Sequence, residues 1–177
     1  MAFVPAPLGR VAVLALVAVA AAACSLDTMS SVQMPEPRDP RTTTYAASFT
    51  PPINVAAMSI RDSGLFFQDF TVGTGDSVTR ADTVGDTPTR IRANYRLWLV
   101  NGAQIDSNVD PTRPLERRLV AGQIIEGWRS GLLGMRVGGR RRLVMSPFWG
   151  YRNLNVNNVP PNSILIFDVT LQGIVRP

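Results

Sequence analysis

The chain contains no histidine and a single cysteine, Cys24, so the commonest general base and the commonest metal ligand are both missing. Hydrolytic triads and zinc centres are poor readings, and neither a cofactor nor a metal is expected. The side chains that keep some chemical character are mostly aromatic. Tyr95 lies in the run 91–99, Asp106 follows the Asn101-Gly102 pair, and Trp128 closes Ile125-Glu126-Gly127-Trp128. Tyr151 follows Gly150, and Phe167 lies in the apolar run 164–171. Such a set can bind a molecule but is poorly equipped to transfer a proton or a group. Taken singly, Tyr95, Ile125 and Phe167 are explained equally well as core residues.

These residues need a frame, and the frame reads as short strands. Residues 66–72 are rich in aromatic and β-branched types and stop at Gly73-Thr74-Gly75-Asp76, a strand followed by a turn. Residues 76–89 are polar and read as an exposed loop. From Ile91 to Leu99 the odd positions are apolar or aromatic, which marks a half-buried strand with Tyr95 on its core side. Asn101-Gly102 is a tight-turn dipeptide. Another strand starts at Pro114-Leu115. Trp128, Leu132 and Met135 recur at i, i+4 and i+7, predicting a short helix across the sheet that Gly138-Gly139 would end. Strands follow at 140–145 and at 164–171, the second apolar enough for a sheet centre. One helix on a strongly curved antiparallel sheet is an α+β solution. Alternation turns Arg141 inward, with Asp168 or Glu126 as candidate partners, while the Arg140-Arg141-Arg142 run reads as a solvated strand face in preference to an anionic-lipid contact.

The first 23 residues read as an export signal. Arg10 supplies the positive region, and the thirteen residues 11–23 are apolar, fewer than the roughly 20 needed to cross a bilayer. Cys24 follows Ala21-Ala22-Ala23, which resembles a bacterial lipoprotein signal, with alanine at 21 where leucine is usual. The resemblance implies lipid on Cys24 and attachment to the cell envelope; with Ser25 next, it implies the outer membrane, facing the periplasm. Without Arg10, 17 arginines oppose 13 acids, so the net charge falls from +5 to +4, too mild to suggest nucleic acid. No disulfide is available to a chain with one cysteine. Residues 24–60 read as a flexible tether, because 25–52 are rich in Pro, Ser and Thr, and 61–177 as the folded domain.

One ordered series ties these pieces together: Gln-Ile-Ile-Glu-Gly-Trp at 123–128, Gly-Met-Arg-Val-Gly-Gly at 134–139, Ser-Pro-Phe-Trp-Gly-Tyr at 146–151, and Val-Pro-Pro-Asn-Ser-Ile-Leu-Ile-Phe-Asp-Val at 159–169. It resembles the FKBP-type peptidyl-prolyl isomerases over about Gly64 to Ile174. The resemblance implies an FKBP-like fold and a proline-sized pocket that accelerates rotation about X-Pro bonds. Trp128 would be its floor and Tyr95, Ile125 and Phe167 its walls. Asp106 would accept a hydrogen bond, and Tyr151 and the Ile125 N–H would donate. Ile105, Leu115, Ile124 and Val159 would complete the substrate-binding surface. The implied partners are proline-containing exported polypeptides or a macrolide ligand, bound by a monomer.

Several positions depart from that pattern. Ile105 and Leu115 stand where aromatic residues are usual, Gln123 replaces a glutamate, and Arg152 follows Tyr151 where glycine is common. Any left-handed backbone at Arg152 would be strained. The substitutions motivate a rival reading, a binding module or chaperone that has lost turnover; a purely structural lipoprotein subunit is a third.

Overall fold

The computed structural model describes residues 38–84 and 89–176. Signal and lipidation expectations at 1–24 lie outside them. Seven strands form one antiparallel sheet: β1 (Ser59–Asp62), β2 (Leu65–Thr71), β3 (Arg90–Leu99), β4 (Gln104–Asn108), β5 (Leu115–Arg118), β6 (Arg140–Met145) and β7 (Leu165–Val175). The order is β1-β2-β6-β7-β3-β4, with β5 pairing the first half of β3 and β4 its second half. Among the described residues there is one α-helix, α1 (Glu126–Gly131). The fold is α+β, as expected.

Period-two alternation sorts the strand residues onto two faces, and both faces are covered. The inner face buries Leu65, Ile91, Leu97, Leu143, Met145, Leu165, Phe167 and Leu171 beneath α1. The helix is one turn shorter than the spacing of Trp128, Leu132 and Met135 suggests. It ends at Leu132, and a turn through Gly134 (φ 75°) carries Met135 into the core well before Gly138. Gly127 and Gly131 let α1 lie close on β6: a Cβ on Gly131 would come within 2.8 Å of Leu143, and one on Gly127 would strike the Met145 sulfur.

The outer face is covered by the segment expected as the far part of a tether, and this corrects that boundary. Residues 38–58 pack as a strap on the sheet, burying Phe49, Val55 and Met58 against Phe66, Val144, Ile164 and Ile166. Phe49 meets Trp98 edge to face at 6.0 Å, and Ala46 N–H donates to Val100 O at 2.8 Å. Polar composition averaged along 25–52 conceals Phe49, and Val55 and Met58 follow just beyond it.

The arginine run is another correction. Arg140 is exposed, but Arg141 and Arg142 are 3% and 2% exposed, so the run is no solvated face. Arg141 points inward and pairs in a fork with Asp69 at 2.7 and 2.9 Å, not with Asp168 or Glu126. Its remaining N–H groups donate to Gly131 O and Leu133 O, carbonyls at the end of α1. Arg142 points outward and forks onto Asp168 at 2.6 and 3.0 Å while donating to Pro51 O of the strap at 2.7 Å. The two arginines thus pin the helix to one face and the strap to the other.

Within the expected exposed loop at 76–89, the described residues 76–84 are also tied down. A 3-10 turn at Arg80–Thr83 buries Asp82, which accepts from Thr79 and from Arg176 beyond β7.

Candidate functional site

Helix α1 starts at Ile125, whose extended backbone (φ −63°, ψ 146°) turns the chain from the Gly122 bend into the helix. The Ile125 carbonyl accepts from the Trp128 and Arg129 N–H groups. Its own N–H donates to no protein acceptor among the described residues, leaving the expected donor available. Three residues on, Trp128 is 2% exposed, with its indole wedged between two strands. Tyr95 of β3 and Phe167 of β7 each meet it edge on at 5.5 Å, and they lie 6.2 Å from each other. Edge-to-face packing of this kind fixes ring planes as well as filling volume.

Above this aromatic trio opens a cavity of about 450 Å³, a size suited to a small ligand or a short peptide segment. Trp128, Tyr95, Phe167 and Ile125 line it with Ile124, Leu115, Asp106 and Tyr151, so eight of the ten residues expected at the pocket converge there. The Tyr95 hydroxyl donates to Asp106 Oδ2 at 2.6 Å, and the other carboxylate oxygen accepts from Ser107 N–H at 2.8 Å. Burial first, then the hydrogen bond to Asp106 and its negative charge, push the Tyr95 hydroxyl well above the ordinary tyrosine range. Tyr151 shifts upward too, mainly by burial and then by the charge of Asp106. Both tyrosines are therefore neutral donors at any physiological pH.

Two expected residues do not reach the cavity. Register slips between Leu97 and Trp98 in the β3–β4 pairing, which leaves Ile105 as the extra residue of a bulge. Ile105 consequently packs on the inner core beside the cavity instead of lining it. Val159, expected on the substrate-binding surface, is 2% exposed and belongs to the core. Paired hydrogen bonds to Val156 fold its loop inward through Asn157 and Asn158, both at positive φ.

Four lining residues were not assigned from sequence: Leu97, Arg117, Gly122 and Gln123. Leu97 shares strand parity with Tyr95, and Arg117 shares it with Leu115, so alternation alone could have found both. Gly122 and Gln123 simply lead into Ile124 and Ile125. Arg152 has the left-handed backbone its position suggested, with φ 55°. Its guanidinium lies over the ring of the exposed Phe148 at 5.1 Å, outside the cavity.

Known proteins are similar to this chain in sequence and fold. The family model for "FKBP-type peptidyl-prolyl cis-trans isomerase" matches residues 83–172. An FK506-binding protein 2 of Dictyostelium discoideum is 43% identical over 86 residues, covering 48% of this chain and 65% of its own length, so this chain spans less than two thirds of that relative. The FK506-binding protein of Neisseria meningitidis serogroup B is 36% identical over 109 residues, covering 61% of this chain and 94% of its own. Among solved structures, AtFKBP13 superimposes with a TM-score of 0.54 at 31% identity, covering 67% of this chain and 98% of that one. With the family model matching half of its length and the indole-floored cavity in place, the chain belongs to the FKBP-type peptidyl-prolyl cis-trans isomerase family.

Proposed function

We propose that this domain isomerises X-Pro peptide bonds in exported polypeptides, held by lipid on Cys24 at the outer membrane and facing the periplasm. The observation that carries the enzymatic reading is the cavity itself, in which Trp128 and other apolar and aromatic side chains line one space with the Tyr95 and Tyr151 hydroxyl groups. Rotation about a prolyl amide faces a barrier of about 18–20 kcal/mol, because resonance stiffens the C–N bond. At the twisted transition state that resonance is lost and the nitrogen becomes pyramidal. A dry cavity stabilises this less polar amide relative to the planar one, and no proton transfer is required. Tyr151 and the Ile125 N–H would hold the peptide carbonyls, while the hydrogen bond from the Tyr95 hydroxyl to Asp106 fixes two of the lining side chains.

Cis-to-trans relaxation of a short X-Pro peptide, followed with wild-type protein and with Trp128→Ala, tests the catalytic claim. Acceleration by the wild type that is lost in the variant supports it; no acceleration by a folded wild type sinks it. The same cavity is a site for a macrolide, which would compete with peptide. A second reading, peptide binding without turnover, is favoured by one observation: Arg152 holds a strained left-handed backbone directly after Tyr151. Support for the envelope location is the signal-like run and the placement of Cys24. Mass spectrometry of the mature protein checks it, since an unprocessed N-terminus or a free Cys24 thiol contradicts the anchor.

A further inference from the structure

The wall of the cavity built by β5 carries a positive charge that the fold leaves without a carboxylate partner. In the β3–β5 pairing Leu115 lies opposite Ala93, and Arg117 opposite Ile91. Directly opposed residues share a face, and Ala93 and Ile91 are both buried on the inner one. Arg117 therefore projects from an edge strand toward the side where Trp128 lies, and it lines the cavity beside Leu115. Its guanidinium donates to Glu116 O at 2.9 Å, which steadies the side chain without neutralising it, and it forms no ion pair among the described residues.

The nearby carboxylates are already engaged. Glu116 pairs with Arg90 at 3.2 Å, Glu126 pairs with Arg129, and Asp106, on β4 farther along the same edge of β3, is held by the Tyr95 hydroxyl and the Ser107 N–H. A chain crossing the cavity thus meets apolar surface, the Asp106 carboxylate held by neutral donors, and at Arg117 a guanidinium that has no carboxylate partner among the described residues. We propose that Arg117 is a specificity-determining residue, selecting polypeptides with an aspartate or glutamate immediately beside the proline. This rests on reading the cavity as a prolyl site.

The expected effect is that of one solvent-accessible ion pair, about two- to fivefold in kcat/KM. Two peptide series test it, one varying the residue before proline and one the residue after, each with Glu, Gln or Arg. Wild-type protein should prefer Glu over Gln in at least one series and disfavour Arg. Arg117→Leu should bring the Glu/Gln ratio to about one, and Arg117→Glu should invert the order. Added salt should erode the wild-type preference, since the pair is exposed to screening. A Glu/Gln ratio that is the same in wild type and Arg117→Leu in both series overturns the proposal.

Dissociation constants for the same peptides, read by tryptophan fluorescence, separate this claim from the catalytic one. Arg117-dependent preference in Kd without turnover supports the assignment while sinking catalysis. Turnover of every peptide without Arg117 dependence does the reverse. Failure to bind or turn over any peptide overturns both.

Discussion

The Tyr95 hydroxyl is the residue-scale hinge between chemistry and packing, because it joins the aromatic trio to Asp106. Tyr95→Phe keeps the ring and removes that hydrogen bond, at a cost of about 1 kcal/mol, or about fivefold in kcat/KM, in the peptide relaxation assay. Because burial raises Tyr95 and Tyr151 above the ordinary value, neither ionises below about pH 10. Activity is accordingly expected to be flat from about pH 6 to 9; an alkaline decline with a midpoint under about 10 would contradict neutral tyrosines as the donors. The legibility of the site followed the same residue-level logic. Trp128, Ile125, Tyr151 and Phe167 were readable because each lies in a distinctive motif, and Tyr95 because alternation put it on the core side of its strand. Ile105 was misplaced because a one-residue bulge in β4 leaves no mark on composition. Val159 was misplaced because the two left-handed asparagines before it reverse the loop's direction. Arg117 was overlooked although its parity with Leu115 was plain, since a charged residue on an edge strand is usually taken for solvated surface.

At the scale of elements, the short helix is held less by its own propensity than by what surrounds it. Six residues give few internal hydrogen bonds, and isolated helices of that length do not persist in water. Two glycines seat α1 on β6, and Arg141 gathers its last carbonyls. Gly131→Ala, which puts a methyl group into Leu143, is therefore expected to lower stability by about 1–3 kcal/mol in denaturant titration. Across the sheet, the Arg142–Asp168 fork is nearly closed to solvent, and Asp168→Asn leaves a buried guanidinium underpaired, at a cost of about 3–5 kcal/mol. The polar segment before β3 has its own clamp. Hydrogen bonds from Arg176, with further help from Thr79, hold the Asp82 carboxyl well below the usual carboxylate range despite its burial. A depressed folded-state pKa stabilises above the unfolded value of about 4, and that stability drains as pH falls below it. Wild type should lose stability between about pH 4 and 2, and Arg176→Leu should flatten that limb in pH-dependent melting curves. Composition, alternation and turn residues located β2, β3, β6 and β7 in the sequence, but pairing partners 72 and 26 positions apart, as in Asp69–Arg141 and Arg142–Asp168, are set only when the strands close into a sheet.

For the whole molecule, the strap decides where the folded body begins. The nearly continuous apolar run of β7 already required cover on both faces. The cover on the outer side came from Phe49, Val55 and Met58, sparse anchors within a stretch that otherwise has the composition of a linker. A protein cut to start at residue 61, where the sequence suggested the domain should begin, would bare Phe66, Val144, Ile164 and Ile166; it is expected to melt many degrees lower than one starting at residue 38 and to aggregate. Phe49→Ala in the longer protein should remove about 3 kcal/mol, measurable by the same melting experiment. The strap also sets how far the cavity could travel from an anchor at Cys24. Were the chain free from Cys24 to residue 60, its contour would allow about 120 Å of travel, but with the body clamped from residue 38 the leash is at most about 50 Å. If Cys24 carries lipid, the cavity patrols a layer little thicker than the domain itself, and its clients are the chains that emerge or lie against that membrane, not those adrift in the compartment beyond.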